Sequence, residues 1–148
     1  MGKVCAVCVS PARGTGKENV ERAHFIAGHG IEGDAHAGPW HRQVSLLSYE
    51  KVEEFNRRGA QVTDGAFGEN LLVSGIDFRT LPIGTVFQTA QTELRLTQIG
   101  KVCHSHCAIY HRVGTCIMPH EGVFAEVLKG GTVTPGEIMT AELPGEKS

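Results

Sequence analysis

The sequence predicts a mainly β fold, and two observations carry that expectation. Nineteen glycines punctuate short apolar runs over 148 residues. Inside those runs polar and apolar residues alternate mostly with period two, the pattern of a half-buried strand between tight turns. No apolar stretch is long enough for a membrane span or a signal-peptide core, the run from Val4 to Val9 being the longest near the N-terminus. A chain of this length buries roughly 70% of its unfolded surface around one core, so a single domain over residues 1–148 is expected.

Taken in order, residues 4–10 form a first strand and 11–17 a turn. The Gly14-Thr15-Gly16-Lys17 run fails as a phosphate loop, because Pro11 stands at the first glycine position and Glu18 where Ser or Thr is needed. Cys5 and Cys8 lie three apart in the first strand. Strict alternation would send them to opposite faces, which argues for packing rather than a shared metal or a redox dithiol. Residues 28–38 hold four glycines with His29, Asp34 and His36, followed by His41 and Arg42. That loop can bring backbone and side-chain donors to a ligand, or it is a structural turn in which Asp34 bonds its own backbone.

Residues 44–47 read as a strand, and Ser48 as the N-cap of a helix over 49–58. Glu50 stands in its first turn, Arg57 and Arg58 in its last, and Gly59 follows. Val52 and Phe55 give that helix a short apolar stripe to lay on the sheet. Residues 67–73 form another strand, and 81–87, with Pro82 and Gly84, a turn leading into a strand. Residues 93–99 alternate, with Leu94, Leu96 and Gln98 expected on one face, and lead to Lys101 and Cys103. Residues 123–128 and 133–140 are closing strands around the Gly130-Gly131 turn, with a frayed end from Pro144.

Fourteen Lys and Arg against sixteen Asp and Glu give a net charge of -2. No broad basic field is available for nucleic acid or an anionic membrane, though a local anion pocket is compatible with that balance. The N-terminal residues fit neither a signal peptide nor a myristoylation site, which needs Ser or Thr where Ala6 stands. A cytoplasmic location is the resulting expectation. In that compartment the five cysteines are reduced or metal-bound thiols, not a disulfide framework.

Thiol and imidazole chemistry concentrates in residues 98–136, with Cys103, Cys107 and Cys116, His104, His106, His111 and His120, and Lys101. A cysteine is a nucleophile or soft-metal ligand as the thiolate, and positive neighbours favour that form. Lys101 two residues before Cys103 and His104 beside it suit an activated thiol. Cys103, Cys107 and Cys116 with His104 or His106 also supply a four-ligand zinc set of Cys₃His type, although no second tight pair is present beyond them. Buried thiols with solvent-facing histidines are the third reading these residues allow.

Several motifs together resemble the MOSC domain, the module found at the C-terminus of molybdenum cofactor sulfurases and as small stand-alone bacterial proteins. They are Gly33-Asp34-Ala35-His36-Ala37-Gly38, Arg42-Gln43-Val44-Ser45-Leu46, Phe67-Gly68-Glu69-Asn70-Leu71, Leu81-Pro82-Ile83-Gly84, Lys101-Val102-Cys103-His104, and Gly122-Val123-Phe124-Ala125 through Gly136. The resemblance implies a closed or partly closed β-barrel, similar to the pyruvate-kinase β-barrel, with one or a few short helices. It implies a protein that handles the molybdenum-pterin cofactor or its tungsten analogue. Cys103, assisted by Lys101 and His104, would be the reactive or metal-ligating group, carrying sulfur as a persulfide or ligating molybdenum. Asp34, His36, Arg42, Gln43, Glu69, Asn70 and Lys101 would hold the pterin and its phosphate.

The chain departs from the family at Gly100-Lys101-Val102, where many members have Arg and Pro before the cysteine, and at Gly136-Glu137, where Gly-Asp is usual. The Cys103-His104-Ser105-His106-Cys107 run with Cys116 looks typical of a stand-alone branch. The 148 residues leave no room for a pyridoxal-phosphate domain, so that cofactor is expected on a partner and not on this chain. The partners the resemblance implies are a sulfur-donor cysteine desulfurase or a molybdoenzyme. Beside the sulfur-carrier reading stand a non-catalytic chaperone that shields the cofactor and a zinc-stabilised binding protein.

Overall fold

The computed structural model describes residues 2–9, 18–34, 37–40, 42–57, 69–99 and 122–144. The fold is mainly β, as expected. In chain order the strands are β1 (Gly2–Val9), β2 (Glu18–Val20), β3 (Ala23–Ile26), β4 (Gly30–Ile31) and β5 (Val44–Ser48). After the helix α1 (Tyr49–Arg57) come β6 (Leu71–Ser74), a 3-10 turn (Phe78–Thr80), β7 (Val86–Gln88), β8 (Glu93–Ile99), β9 (Val123–Lys129), β10 (Gly131–Val133) and β11 (Ile138–Glu142).

Among the described residues seven strands close into a barrel in the order β11-β7-β8-β9-β5-β6-β1, with β1 returning to β11. Closure leaves those strands no exposed edge. Strand β1 serves two partners on one side: Gly2 and Lys3 pair with β11, and Val7 to Val9 pair with β2. Every barrel pairing is antiparallel except β5 with β6. A parallel pair needs a crossover, which is where α1 sits, packed on those two strands. The Ser48 hydroxyl donates to Glu50 Oε1 at 3.4 Å, and the same carboxylate oxygen accepts the Gly75 N–H at 2.9 Å, tying the first helical turn to the end of β6.

The barrel interior is apolar. Val4, Val7, Val44, Leu46, Leu71, Val73, Phe87, Leu94, Leu96, Val123, Ala125 and Val127 belong to one buried cluster. Phe78 from the 3-10 turn meets Phe87 edge-to-face at 5.3 Å, the arrangement the ring quadrupoles favour. Each large aliphatic or aromatic side chain buried this way contributes about 1.5–3 kcal/mol. The three-stranded sheet β10-β3-β4 adds Phe25, Ile31 and Val133 to the same cluster.

The Gly130-Gly131 turn requires glycine because β3 comes close at Gly130 and Gln91, between β7 and β8, at Gly131. A Cβ on Gly130 would lie 2.5 Å from the Phe25 carbonyl oxygen, and one on Gly131 2.6 Å from Gln91 Cβ. No helix of the described residues is long and apolar enough to cross a membrane.

Of three register slips among the described residues, two alter the alternation expected from the sequence. In β1 the register with β6 slips between Val4 and Ala6. Val4 and Val7, three apart, therefore both point inward. Cys8 is fully buried, as a small apolar side chain should be, but it belongs to the outer face of the barrel, beside Asn70. In β8 the register with β9 slips between Leu96 and Gln98. Leu94 and Leu96 share the interior as expected, whereas Gln98 turns outward opposite Phe124, and Ile99 packs against the core. The Thr97 hydroxyl donates to the Phe124 carbonyl at 3.1 Å and holds the second bulge in place.

Candidate functional site

The outer wall of β8, β9, β5, β6 and β1 is where polar groups gather. Gln98 is registered with Phe124, and Phe124 with Ser45. Asn70 donates its N–H to the Ser45 carbonyl and accepts the Cys8 N–H at its own carbonyl. Directly opposed residues point to the same side of a sheet, so Gln98, Phe124, Ser45, Asn70 and Cys8 form one lateral row across five strands. Ser45, Asn70, Cys8 and Phe124 are all buried although they face away from the barrel interior.

Asn70 links the middle of this row. Its Oδ1 accepts from Ser45 N at 2.9 Å and from Ser45 Oγ at 3.2 Å, and its Nδ2 donates to the Cys8 carbonyl at 3.0 Å. These side-chain bonds reinforce the main-chain bonds that link β5, the start of β6 and β1 at the same place. Glu69, just before it, is fully buried.

Arg42 and Gln43 enter the wall from the residue pair ahead of β5. Gln43 Oε1 accepts the Val127 N–H at 2.9 Å, and the Gly28 N–H donates to the Val127 carbonyl at 2.9 Å. The glycine-rich segment is thus fastened to β9. Its fit is close: Gly30 adopts φ +125, and a Cβ there would lie 2.9 Å from the Gln43 carbonyl. Asp34 is buried in a turn in which its N–H bonds Ile31 and its carbonyl accepts from Ala37, each at 3.1 Å.

The Arg42 guanidinium lies over two aromatic rings, its Cζ 5.1 Å from the Trp40 centroid and 5.7 Å from that of Phe124. Its Nε is buried and has no hydrogen-bond partner among the described residues. A charged donor kept from water without an acceptor is costly. A phosphate or carboxylate oxygen is the acceptor that such an edge suits, so the residues present fit an anionic group.

The structure therefore places Arg42, Gln43, Glu69 and Asn70 on or beside one wall, and Asp34 in the buried turn of the glycine-rich segment. His36, Lys101, Cys103, His104, His106, Cys107 and Cys116 lie outside the described residues. Among the described residues no three His, Cys, Asp or Glu side chains come together as a metal site. Sequence reasoning did not single out Trp40, Phe124, Ser45 or Gln98 for this site. Trp40 carried a usable signal, as the one tryptophan of the chain, two residues before an arginine. The other three depend on register and bulges, which only the fold reveals.

The sequence matches the MOSC domain over residues 32–140. No curated protein matches it. Among solved structures, the chain superimposes on YuaD from Bacillus subtilis with a TM-score of 0.77 at 18% identity, covering 95% of this chain and 96% of that one. YiiM from Geobacillus stearothermophilus gives 0.72 at 17% identity, over 98% of this chain and 77% of that one. YiiM from Escherichia coli gives 0.65 at 17% identity, over 95% and 71%. At these identities the likeness is one of fold.

Proposed function

This chain belongs to the MOSC domain family, a family tied to molybdenum cofactor sulfurases, and we propose that it binds the molybdenum-pterin cofactor or its tungsten analogue and carries sulfur through Cys103. One observation supports this reading most: the polar outer wall, with the unpaired Arg42 edge beside it, lies on strands whose connection carries Cys103. Strand β8 ends at Ile99, β9 begins at Val123, and those two residues are paired. The stretch with the thiols and imidazoles thus joins two neighbouring strands of this wall.

Within the reading, Arg42 donates to the pterin phosphate, and Lys101 and His36 supplement it. The cofactor supplies a soft, sulfur-ligated metal centre. Cys103 as thiolate is the matching soft ligand. As a carrier it attacks the outer sulfur of a donor persulfide; that S–S bond breaks, the donor leaves as thiolate, and Cys103 holds the transferred sulfur as a new persulfide. Lys101 and His104 favour the thiolate. The donor would be a cysteine desulfurase and the recipient a molybdoenzyme.

The test is elemental analysis with cyanide-releasable sulfur on protein purified without chelator, for the wild type and Cys103→Ser. Stoichiometric molybdenum, tungsten or labile sulfur in the wild type, lost in the variant, is the expected result. Equal content in both removes Cys103 from the role. Stoichiometric zinc would move the cysteine cluster to a structural task, because structural zinc adds directly to folding stability.

A further inference from the structure

The Arg42 side chain is held by two groups that satisfy its charge but not its donors. An aromatic ring attracts a cation through its quadrupole and offers no in-plane acceptor for an N–H. The Trp40 and Phe124 rings, with centroids 5.1 Å and 5.7 Å from Arg42 Cζ, therefore orient the guanidinium while leaving the buried Nε unbonded among the described residues. Phe124 is itself immobilised: it is 2% exposed, registered between Ser45 and Gln98, and its carbonyl takes the Thr97 hydroxyl.

We propose that Trp40 and Phe124 are positioning residues that hold Arg42 so that its Nε edge receives an oxyanion, specifically the phosphate of the pterin cofactor. The inference rests on the cofactor-binding reading above, which already gives the phosphate to Arg42, and adds the two rings that orient its donors. Side-on approach to that edge gives two parallel donors, a geometry an ammonium lacks. The phosphate need not displace any hydrogen bond of Arg42 Nε, because none exists among the described residues.

Trp40 is the one tryptophan of the chain, so its fluorescence reports on its own neighbour. The experiment titrates the full chain with inorganic phosphate and with a hydroxymethylpterin phosphate monoester, following Trp40 emission and, in parallel, calorimetry. The wild type is expected to show saturable binding, about tenfold tighter for the pterin ester. Arg42→Lys weakens ester binding by about tenfold or more, since a point charge replaces a planar pair of donors. Phe124→Leu and Trp40→Leu, read by calorimetry, weaken it by about three- to tenfold, the range of a partly desolvated cation–π contact. Phe124→Tyr keeps the ring and retains binding.

Wild-type affinity in Arg42→Lys, or in folded Phe124→Leu and Trp40→Leu, overturns the proposal. If Phe124→Leu does not fold, Trp40→Leu, altering a half-buried ring, decides alone. Equal affinity for inorganic phosphate and the ester overturns the assignment to the cofactor. The two readings fail separately. Loss of phosphate binding in the Arg42 and aromatic variants, with no Cys103-dependent metal or sulfur, keeps this subsite and rejects the carrier. Cys103-dependent loading with unaltered phosphate binding in those variants does the reverse.

Discussion

Along β9, Val123, Ala125 and Val127 point into the barrel while Phe124 points out of it, and the same division runs across β5, with Val44 and Leu46 inside and Ser45 outside. Both sets are buried, yet they are built differently. The inner face is uniformly apolar, with side chains exchangeable for others of similar volume. The outer row has the Ser45 hydroxyl and the Asn70 amide, whose partners are specific atoms on neighbouring strands. Burial on the inner face rests on volume, and burial on the outer row on specific polar pairs, with the Phe124 ring of that row lying under Arg42. One set of strands thus carries a tolerant core and an exacting wall, one residue apart.

The sharpest way to break that comparison is to cut the interior. Leu46 is fully buried in the barrel cluster, and Leu46→Ala should lower the unfolding free energy by about 2–5 kcal/mol through lost transfer energy and a residual cavity. Urea denaturation with an unchanged m-value checks this. Because Leu46 does not reach the outer row, phosphate binding by the remaining folded protein should stay at the wild-type level. A binding defect in that folded fraction would mean that the two faces are coupled.

The outer row makes the converse prediction. Asn70→Ala removes three side-chain hydrogen bonds and strands the Ser45 N–H and the Cys8 carbonyl in a buried setting. A loss of about 2–3 kcal/mol is expected, arising from unsatisfied polar groups and not from volume. Asn70→Asp would keep the shape but replace the donor to Cys8 with an acceptor, so it should be no better tolerated than alanine. If Asn70→Ala is instead neutral in urea denaturation, the row is not a structural clamp and its residues are available for ligand.

Features set by local periodicity are legible in the sequence. Strand β8 has the bounds its alternation suggests, and α1 begins at Tyr49 after Ser48 and ends within a residue of the expected place. The Gly130-Gly131 turn is where expected, though its reason is the close passage of β3 and Gln91. The short strands β2, β3 and β4 give no such signal. They are two to four residues long, too short for alternation to register. The bulges are also invisible, because a one-residue slip has no composition signal and reverses the face of every residue beyond it. That is why Gln98, expected on the face of Leu94 and Leu96, is outside, and why Cys8 lies outside although Val4, four residues before it, points inward. Of the expected site, Arg42 is legible from its chemistry. Its aromatic supports are not, since Trp40 and Phe124 are 84 positions apart in the chain and Phe124 reaches Arg42 only through the pairing of β5 with β9.

The smallest expected effect tests whether charge on this outer surface matters by itself. Arg95 on β8 and Glu126 on β9 are cross-strand partners and form an ion pair. The Arg95 side chain is 50% exposed and that of Glu126 24%, so solvent screens their attraction and side-chain ordering offsets much of the rest. Glu126→Gln should cost about 0.2–1 kcal/mol, and less at high salt. A double-mutant cycle with Arg95→Gln isolates the pair from other effects of each change. A coupling well above that range would show that this part of β8 and β9 behaves as a buried polar network, extending the exacting wall beyond the row from Gln98 to Cys8. A coupling within it confines specific polar pairing to the buried part of the row, Ser45, Asn70 and Cys8.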